Sequence, residues 1–154
     1  MASPRIISDS IVIETSPPVI FAILADPASH HEIDGSDSVQ EITSTQTSRR
    51  LALGDRFGMN MKIGLPYKVR NTVVEYDENR LIAWQHFAKH TWRYELDEFE
   101  PGRTRVTESW DWSGSPYARL IELLGFPSRN RNGIAASLTK LRTLAEQRAA
   151  ESPS

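Results

Sequence analysis

From Val39 to Trp112 the chain repeats one pattern, in which a strand-like segment is followed by a short turn. The turns carry residues typical of tight connections: Gly64-Leu65-Pro66, Asp77-Glu78-Asn79 and Pro101-Gly102. Consecutive strands with short connections pair as an antiparallel meander. With a first strand near the N-terminus, about seven strands are predicted: Ile6–Glu14, Val39–Thr47, Asp55–Ile63, Tyr67–Asp77, Arg80–Ala88, Thr91–Glu100 and Thr104–Trp112.

Helical signals lie outside this meander. Thr15-Ser16-Pro17-Pro18 places a hydroxyl residue before proline, which predicts a helix that begins there and runs to about Ala25. Asp26-Pro27 ends that helix, because proline cannot continue the hydrogen-bond ladder. A second short helix is predicted over residues 28–33.

The C-terminal part predicts a long amphipathic helix. Ile134, Leu138 and Leu141 recur at helical spacing in a segment from about Ser128 to Gln147. A shorter helical piece over 115–124 precedes it, and residues 149–154 are predicted to be a disordered tail. A one-sided sheet and an amphipathic helix must each cover the apolar face of the other. The predicted fold class is therefore α+β, in one domain over residues 1–154.

Side-chain parity along the strands shows which face of the sheet is buried. Side chains alternate across a sheet, so residues of one parity share a face. In the last three strands the apolar parity carries Ile82, Trp84, His86, His90, Trp92, Tyr94, Leu96, Val106, Glu108, Trp110 and Trp112. Around Phe57, Met59, Met61 and Ile63 the apolar parity is odd. This face is either an aromatic core or the wall of a ligand cavity.

Two polar residues within the predicted strands, His86 and Glu108, lie on this otherwise apolar face. Burying either group without a partner is costly, so each should be hydrogen-bonded, hydrated or directed into a cavity. Burial in an apolar pocket would favour their neutral forms, whereas pairing with each other would favour the charged forms. The two residues favour the cavity over a solid core, and they are the candidate acid and base.

Several short sequence segments resemble those of a known superfamily. They are Glu14-Thr15-Ser16-Pro17, Val73-Val74-Glu75-Tyr76-Asp77, Arg80-Leu81-Ile82-Ala83-Trp84, Trp92-Arg93-Tyr94-Glu95-Leu96, Thr104-Arg105-Val106-Thr107-Glu108-Ser109 and Leu124-Gly125-Phe126-Pro127. Over residues 6–146 the chain resembles the START-like, birch-pollen-allergen-like (SRPBCC) superfamily, in its polyketide cyclase/dehydrase and lipid transport branch. The resemblance implies a helix-grip fold, in which a bent antiparallel sheet wraps the C-terminal helix around an apolar cavity.

The predicted function is binding of a small hydrophobic or amphipathic molecule, lipid-like or polyketide-like, in that cavity. The predicted lining residues are Met59, Met61, Tyr67, Trp84, Trp92, Tyr94, Trp110, Leu138 and Leu141, with His86 and Glu108 orienting the polar end of the ligand. The alternative is a cyclase, dehydratase or aromatase in which His86 and Glu108 act as acid and base. A third possibility is a protein-interaction module, although the sequence marks no exposed apolar patch.

Composition excludes several other classes. The chain has no cysteine, so disulfides and thiolate chemistry are excluded, and its net charge of -2 disfavours nucleic-acid binding. No apolar run reaches membrane-spanning length, and the first residues carry no secretory signal, so a cytoplasmic protein is expected. His30-His31-Glu32 lacks the spacing of a metal site, and the scattered Gly54, Gly58 and Gly64 do not form a phosphate loop. Neither a cofactor nor a metal is predicted.

Overall fold

The computed structural model describes residues 5–26, 39–42, 52–63, 65–86 and 89–151, with side chains for all of these except 39–42, 56–63, 65–70 and 86. The strands are β1 (Ile6–Ile13), β2 (Val39–Ile42), β3 (Arg56–Ile63), β4 (Leu65–Asp77), β5 (Leu81–His86), β6 (Thr91–Glu100) and β7 (Arg103–Asp111). The helices are α1 (Pro17–Leu24), α2 (Ala118–Leu123) and α3 (Phe126–Glu151).

The described strands form an antiparallel sheet in the order β1-β7-β6-β5-β4-β3-β2. From β2 to β7 this order is the predicted meander, in which each strand pairs with its successor along the chain. The tight turns include Asn79 and Gly102 in the left-handed region, with φ of 64° and 75°. β1 then pairs with β7, from Ile6 opposite Asp111 to Ile13 opposite Thr104.

Some boundaries differ from the predicted ones. β4 begins at Leu65, so Leu65 and Pro66 belong to a strand and not to the predicted turn. α3 begins at Phe126, with Pro127 in its first turn, where proline lacks no intrahelical hydrogen bond. It continues to Glu151, so the tail predicted from residue 149 is helical through 151. The short helix predicted over 28–33 lies outside the described residues.

Ser16 is the N-cap of α1, but its hydroxyl makes no capping hydrogen bond. The Ser16 carbonyl instead accepts from the Val19 N–H at 3.3 Å. Pro17 at the start supplies a backbone angle suited to a first turn, and α1 buries Ile20, Phe21, Ile23 and Leu24. The predicted helix is confirmed, but its start depends on proline and backbone geometry and not on a hydroxyl cap.

One face of the sheet is buried and the other is exposed to solvent, as strand parity predicted. On β6, Tyr94 and Leu96 are buried whereas Glu95 and Asp97 are exposed. The buried face packs against α3, whose inward side chains recur every three or four residues: Ile134, Ser137, Leu138, Leu141 and Ala145. α3 contacts β1, β7 and α1. The result is an α+β fold in which an antiparallel sheet holds a long C-terminal helix, as the helix-grip resemblance implied.

Candidate functional site

Three tryptophans stand side by side across the middle of the sheet. Trp84 of β5 pairs in register with Trp92 of β6, and Trp92 pairs with Trp110 of β7. The ring centroids of Trp92 and Trp110 are 5.9 Å apart. Directly opposed residues of an antiparallel sheet share a face, so these indoles form a continuous tryptophan row. Ile7 on β1 and Val73 on β4 extend the row at its two ends.

Further rings enlarge this aromatic surface. Trp112 stacks on Trp110 with centroids 4.7 Å apart and ring planes 25° apart. Tyr94 lies beside Trp84 with centroids 5.7 Å apart. Trp92 is half-buried, whereas the other four rings are buried. Flat rings with N–H and O–H groups at their edges can pack against an apolar ligand and also donate hydrogen bonds to it.

His90 has a defined protonation state within this surface. The Trp110 indole Nε1–H donates to His90 Nδ1 at 3.0 Å, so Nδ1 is the acceptor and the neutral ring carries its proton on Nε2. Burial lowers the pKa of His90 from its ordinary value of 6.5 to about 4. His90 is therefore neutral at pH 7. Strand parity placed His90 on the apolar face of the sheet, but His90 was not among the predicted site residues.

This pKa shift predicts an acid-dependent loss of stability. Between pH 6.5 and about 4 the unfolded chain binds a proton at His90 that the folded protein excludes. Stability consequently falls as pH decreases through this window, and between pH 7 and pH 5 the loss is about 2 kcal/mol. Urea unfolding at both pH values should show that His90→Gln, which keeps an acceptor for Trp110, reduces the pH dependence by this amount. An unchanged pH dependence in the variant would contradict the assignment.

Glu108 lies on the buried face as predicted. Its side chain is only 2% exposed, and in the register it stands between Tyr94 of β6 and Asp9 of β1. The neighbouring Tyr94 hydroxyl lies 3.5 Å from Ser137 Oγ of α3, which joins the sheet to the helix. A carboxyl group in such a place is able to exchange a proton with a bound molecule that reaches the sheet.

The register separates His86 from Glu108. The β5 residue in the row of Glu108 and Tyr94 is Ile82, and His86 follows it by four residues. Two strand spacings and four residues put the two backbones roughly 16 Å apart. A direct hydrogen bond between the two side chains, which the sequence left open, is incompatible with this register.

The remaining predicted lining residues divide into two groups. Leu138 and Leu141 are buried on α3 in the core that includes the tryptophan row. Met59 and Met61 belong to β3, and Met61 pairs with Tyr67 of β4. The side chains of these three residues, like that of His86, lie outside the described part of the structure. Their place in the pocket stays a prediction.

Asn71 is a polar residue of the buried face that the prediction missed. It is 0% exposed and pairs in register with His86 of β5 and Phe57 of β3. The signal was present in the sequence, because Asn71 has the parity of Tyr67 and of Val73, which lies opposite Trp84. Reading the strand by parity would have added Asn71 to His86 and Glu108 as a third polar residue of the buried face.

Two further expectations concern metal sites and membrane-spanning helices. The described residues contain no cluster of three or more potential metal ligands. His30, His31 and Glu32 lie outside the described ranges. No helix in the described ranges combines the length and the hydrophobicity that crossing a bilayer needs.

The absence of an exposed apolar patch was a wrong expectation. α2 and its flanks expose large apolar side chains, with Leu123 83% exposed. The other exposed members are Tyr117, Leu120 and Leu124. α2 is a short helix that buries only Ala118. Its leucines are spaced as in an amphipathic helix, but they are exposed to solvent.

Comparison with known proteins decides the family. Residues 4–146 match the family described as polyketide cyclase / dehydrase and lipid transport. The chain belongs to this family. It is also 35% identical over 145 residues to the uncharacterized protein Rv0088 of Mycobacterium tuberculosis H37Rv, and the match covers 91% of this chain. The chain spans 64% of the length of that relative.

Solved structures show the same fold. Protein Ms6760 from Mycobacterium smegmatis superimposes with a TM-score of 0.69 at 17% identity, covering 94% of this chain and 92% of that one. The Zhui aromatase/cyclase from Streptomyces sp. R1128 superimposes with a TM-score of 0.68 at 13% identity, covering 94% and 95%. These similarities confirm the fold, and the family match confirms the superfamily resemblance.

Proposed function

We propose that this protein binds a small apolar or amphipathic molecule between the aromatic face of the sheet and α3. The observation that carries the proposal is the tryptophan row, with Trp112 and Tyr94 beside it on the same buried face. Such a surface gives a flat ligand both dispersion contacts and edge hydrogen bonds. The family description, which includes lipid transport, supports a hydrophobic ligand. Residues 1–154 are proposed to form one such binding domain.

Two measurements test ligand binding. Native mass spectrometry of freshly purified protein should show a mass excess that disappears on denaturation. Titration with 2,6-diethylnaphthalene, a flat hydrocarbon probe, should shift the indole N–H signals of the tryptophans saturably in a two-dimensional NMR spectrum. Protein at its sequence mass that also shows no saturable shift would contradict the proposal.

A second candidate function is a cyclase or dehydratase reaction. The specific observation in its favour is the buried carboxyl of Glu108 beside Tyr94 on the ligand face. A structural relative, Zhui, is described as an aromatase/cyclase. In this reading Glu108 moves a proton to or from the bound chain, and His86 acts on a different part of it. The residues that bind the ligand are the same in both functions.

Glu108→Gln separates the two functions. If the protein is an enzyme, cyclisation of a linear poly-β-carbonyl thioester should fall about 10²-fold while binding persists, because the amide keeps the shape but cannot transfer a proton. Absorbance of the aromatic product measures the rate. Glu95→Gln, on the exposed face of β6, is the matched control and should leave the rate unchanged. Full turnover in Glu108→Gln would remove Glu108 from the mechanism.

A further inference from the structure

Next to the tryptophan row, the sheet carries a second row that is polar. Asn71 of β4 pairs with His86 of β5. Gln85 pairs with Thr91, and Thr91 pairs with Asp111. Continuing both registers by one residue places His86 opposite His90 and His90 opposite Trp112. We call Asn71, His90 and Trp112 the polar row, because their side chains are described. It is parallel to the tryptophan row and two residues away from it along each strand.

The two end members of the polar row have unsatisfied hydrogen-bonding groups. Within the part of the chain that the structure describes, Asn71 Oδ1 and Nδ2 and Trp112 Nε1 are buried and have no hydrogen-bond partner. Asn71 is 0% and Trp112 4% exposed. Buried polar atoms nearly always have a partner, since an unmade hydrogen bond costs the full desolvation of the group. Two such residues in one row, on the ligand face, indicate that a bound molecule supplies the partners.

The chemistry of the row selects the ligand. Trp112 Nε1 only donates, and the Asn71 amide offers two N–H groups and one carbonyl. The bond from Trp110 to His90 Nδ1 leaves the His90 proton on Nε2, so its outer nitrogen is also a donor type. Burial keeps His90 neutral at pH 7 by lowering its pKa to about 4. The row is thus uncharged and rich in donors, which suits neutral oxygen acceptors and disfavours a buried anion without a countercharge.

The spacing sets the size of the ligand. Asn71 and Trp112 lie on β4 and at the end of β7, with β5 and β6 between them. Three strand spacings correspond to about 14 Å between their backbones, and both side chains reach inward from these positions. A ligand of two or three fused rings with polar substituents is long enough to meet both residues. Its apolar body would lie on the neighbouring tryptophan row.

We propose that the polar row binds the carbonyl-bearing edge of a flat, neutral molecule. Trp112 Nε1 donates to one ligand oxygen, and the Asn71 amide pairs with a second polar group at the other end. This inference rests on the proposed binding function and makes its ligand class specific. It assigns Asn71 and Trp112 as the specificity-determining residues of the site.

The test compares two probes of the same shape, 2,6-diacetylnaphthalene and 2,6-diethylnaphthalene, which differ only by two carbonyl groups. The protein should bind the diketone about 5- to 100-fold more tightly than the hydrocarbon. Asn71→Leu and Trp112→Phe replace the unsatisfied polar groups with apolar side chains, and together they should reduce this preference to less than about threefold. The readout is the ratio of the two affinities measured in the same variant, so a general loss of packing at Trp112, which weakens both probes, does not count as a loss of preference.

Two further measurements report on the groups themselves. The indole N–H signal of Trp112, assigned by its loss in Trp112→Phe, should move downfield with the diketone and not with the hydrocarbon. Asn71→Leu should raise the urea midpoint of unfolding, since it replaces a buried unsatisfied amide with an apolar group. A lowered midpoint would show that Asn71 has a structural hydrogen bond, and the inference would be wrong.

The outcomes separate the two proposals. Equal and saturable affinity for both probes would overturn the polar-row inference but would leave the proposed binding function standing. Saturable binding of neither probe would overturn the proposed function itself. Diketone preference that survives in the double variant would place the carbonyl recognition elsewhere in the protein.

Discussion

Trp110→Ala should lower the free energy of unfolding by about 3–5 kcal/mol. The indole is 2% exposed, stacks on Trp112 and contacts Trp92, and its N–H donates to His90. The variant opens a cavity at one end of the tryptophan row and also removes a hydrogen-bond partner of the partly buried His90 imidazole. Urea unfolding at pH 7 measures the loss.

Trp110→Phe is the matched control for this prediction. It keeps an aromatic ring in the row but removes the N–H, so it should cost less than Trp110→Ala. The difference between the two variants then reports the ring contacts alone. If Trp110→Ala costs less than about 1 kcal/mol, the row is not a packed part of the fold.

Leu141→Ala should cost about 2–5 kcal/mol, because Leu141 is 0% exposed at the contact of α3 with the core. Leu123→Ala makes the same chemical change on α2, where the side chain is 83% exposed, and should change stability by no more than about 0.5 kcal/mol. Urea unfolding of both variants gives the comparison. Equal effects would mean that α3 does not cover the sheet as the structure shows.

The fold class and the composition of the buried face were predictable because both are local properties. Alternation along β6 and β7 identifies the buried side of each strand without any knowledge of its neighbours. Short turns then fix the order of the meander, since each strand pairs with the next. The helical spacing of Ile134, Leu138 and Leu141 likewise identifies the buried side of α3.

The relations between strands were not predictable in the same way. Which residue of β5 stands in the row of Glu108 depends on two successive registers, and a shift in either would change it. The separation of His86 from Glu108 follows from those registers. In β4 a bulge between Val73 and Glu75 changes the parity of the buried residues, so Tyr76 belongs to the buried side although its parity is opposite to that of Asn71.

Exposure of α2 also depends on the tertiary structure. The spacing of its leucines predicts a helix, and that helix is present. A pattern of apolar residues does not show whether another element covers them, and here Leu120, Leu123 and Leu124 are exposed. This exposed surface is an alternative place for an apolar probe to bind, besides the buried aromatic face.

The most direct test of the account locates the probe. Intermolecular nuclear Overhauser effects can be measured between bound 2,6-diethylnaphthalene and protein labelled at tryptophan indoles and leucine methyl groups. Binding between the sheet and α3 predicts contacts with Trp84, Trp92 and the methyl groups of Leu138. Contacts confined to Leu123 at the end of α2 and to the adjacent Leu124 would contradict the proposal, since the probe would then bind outside the space between the sheet and α3.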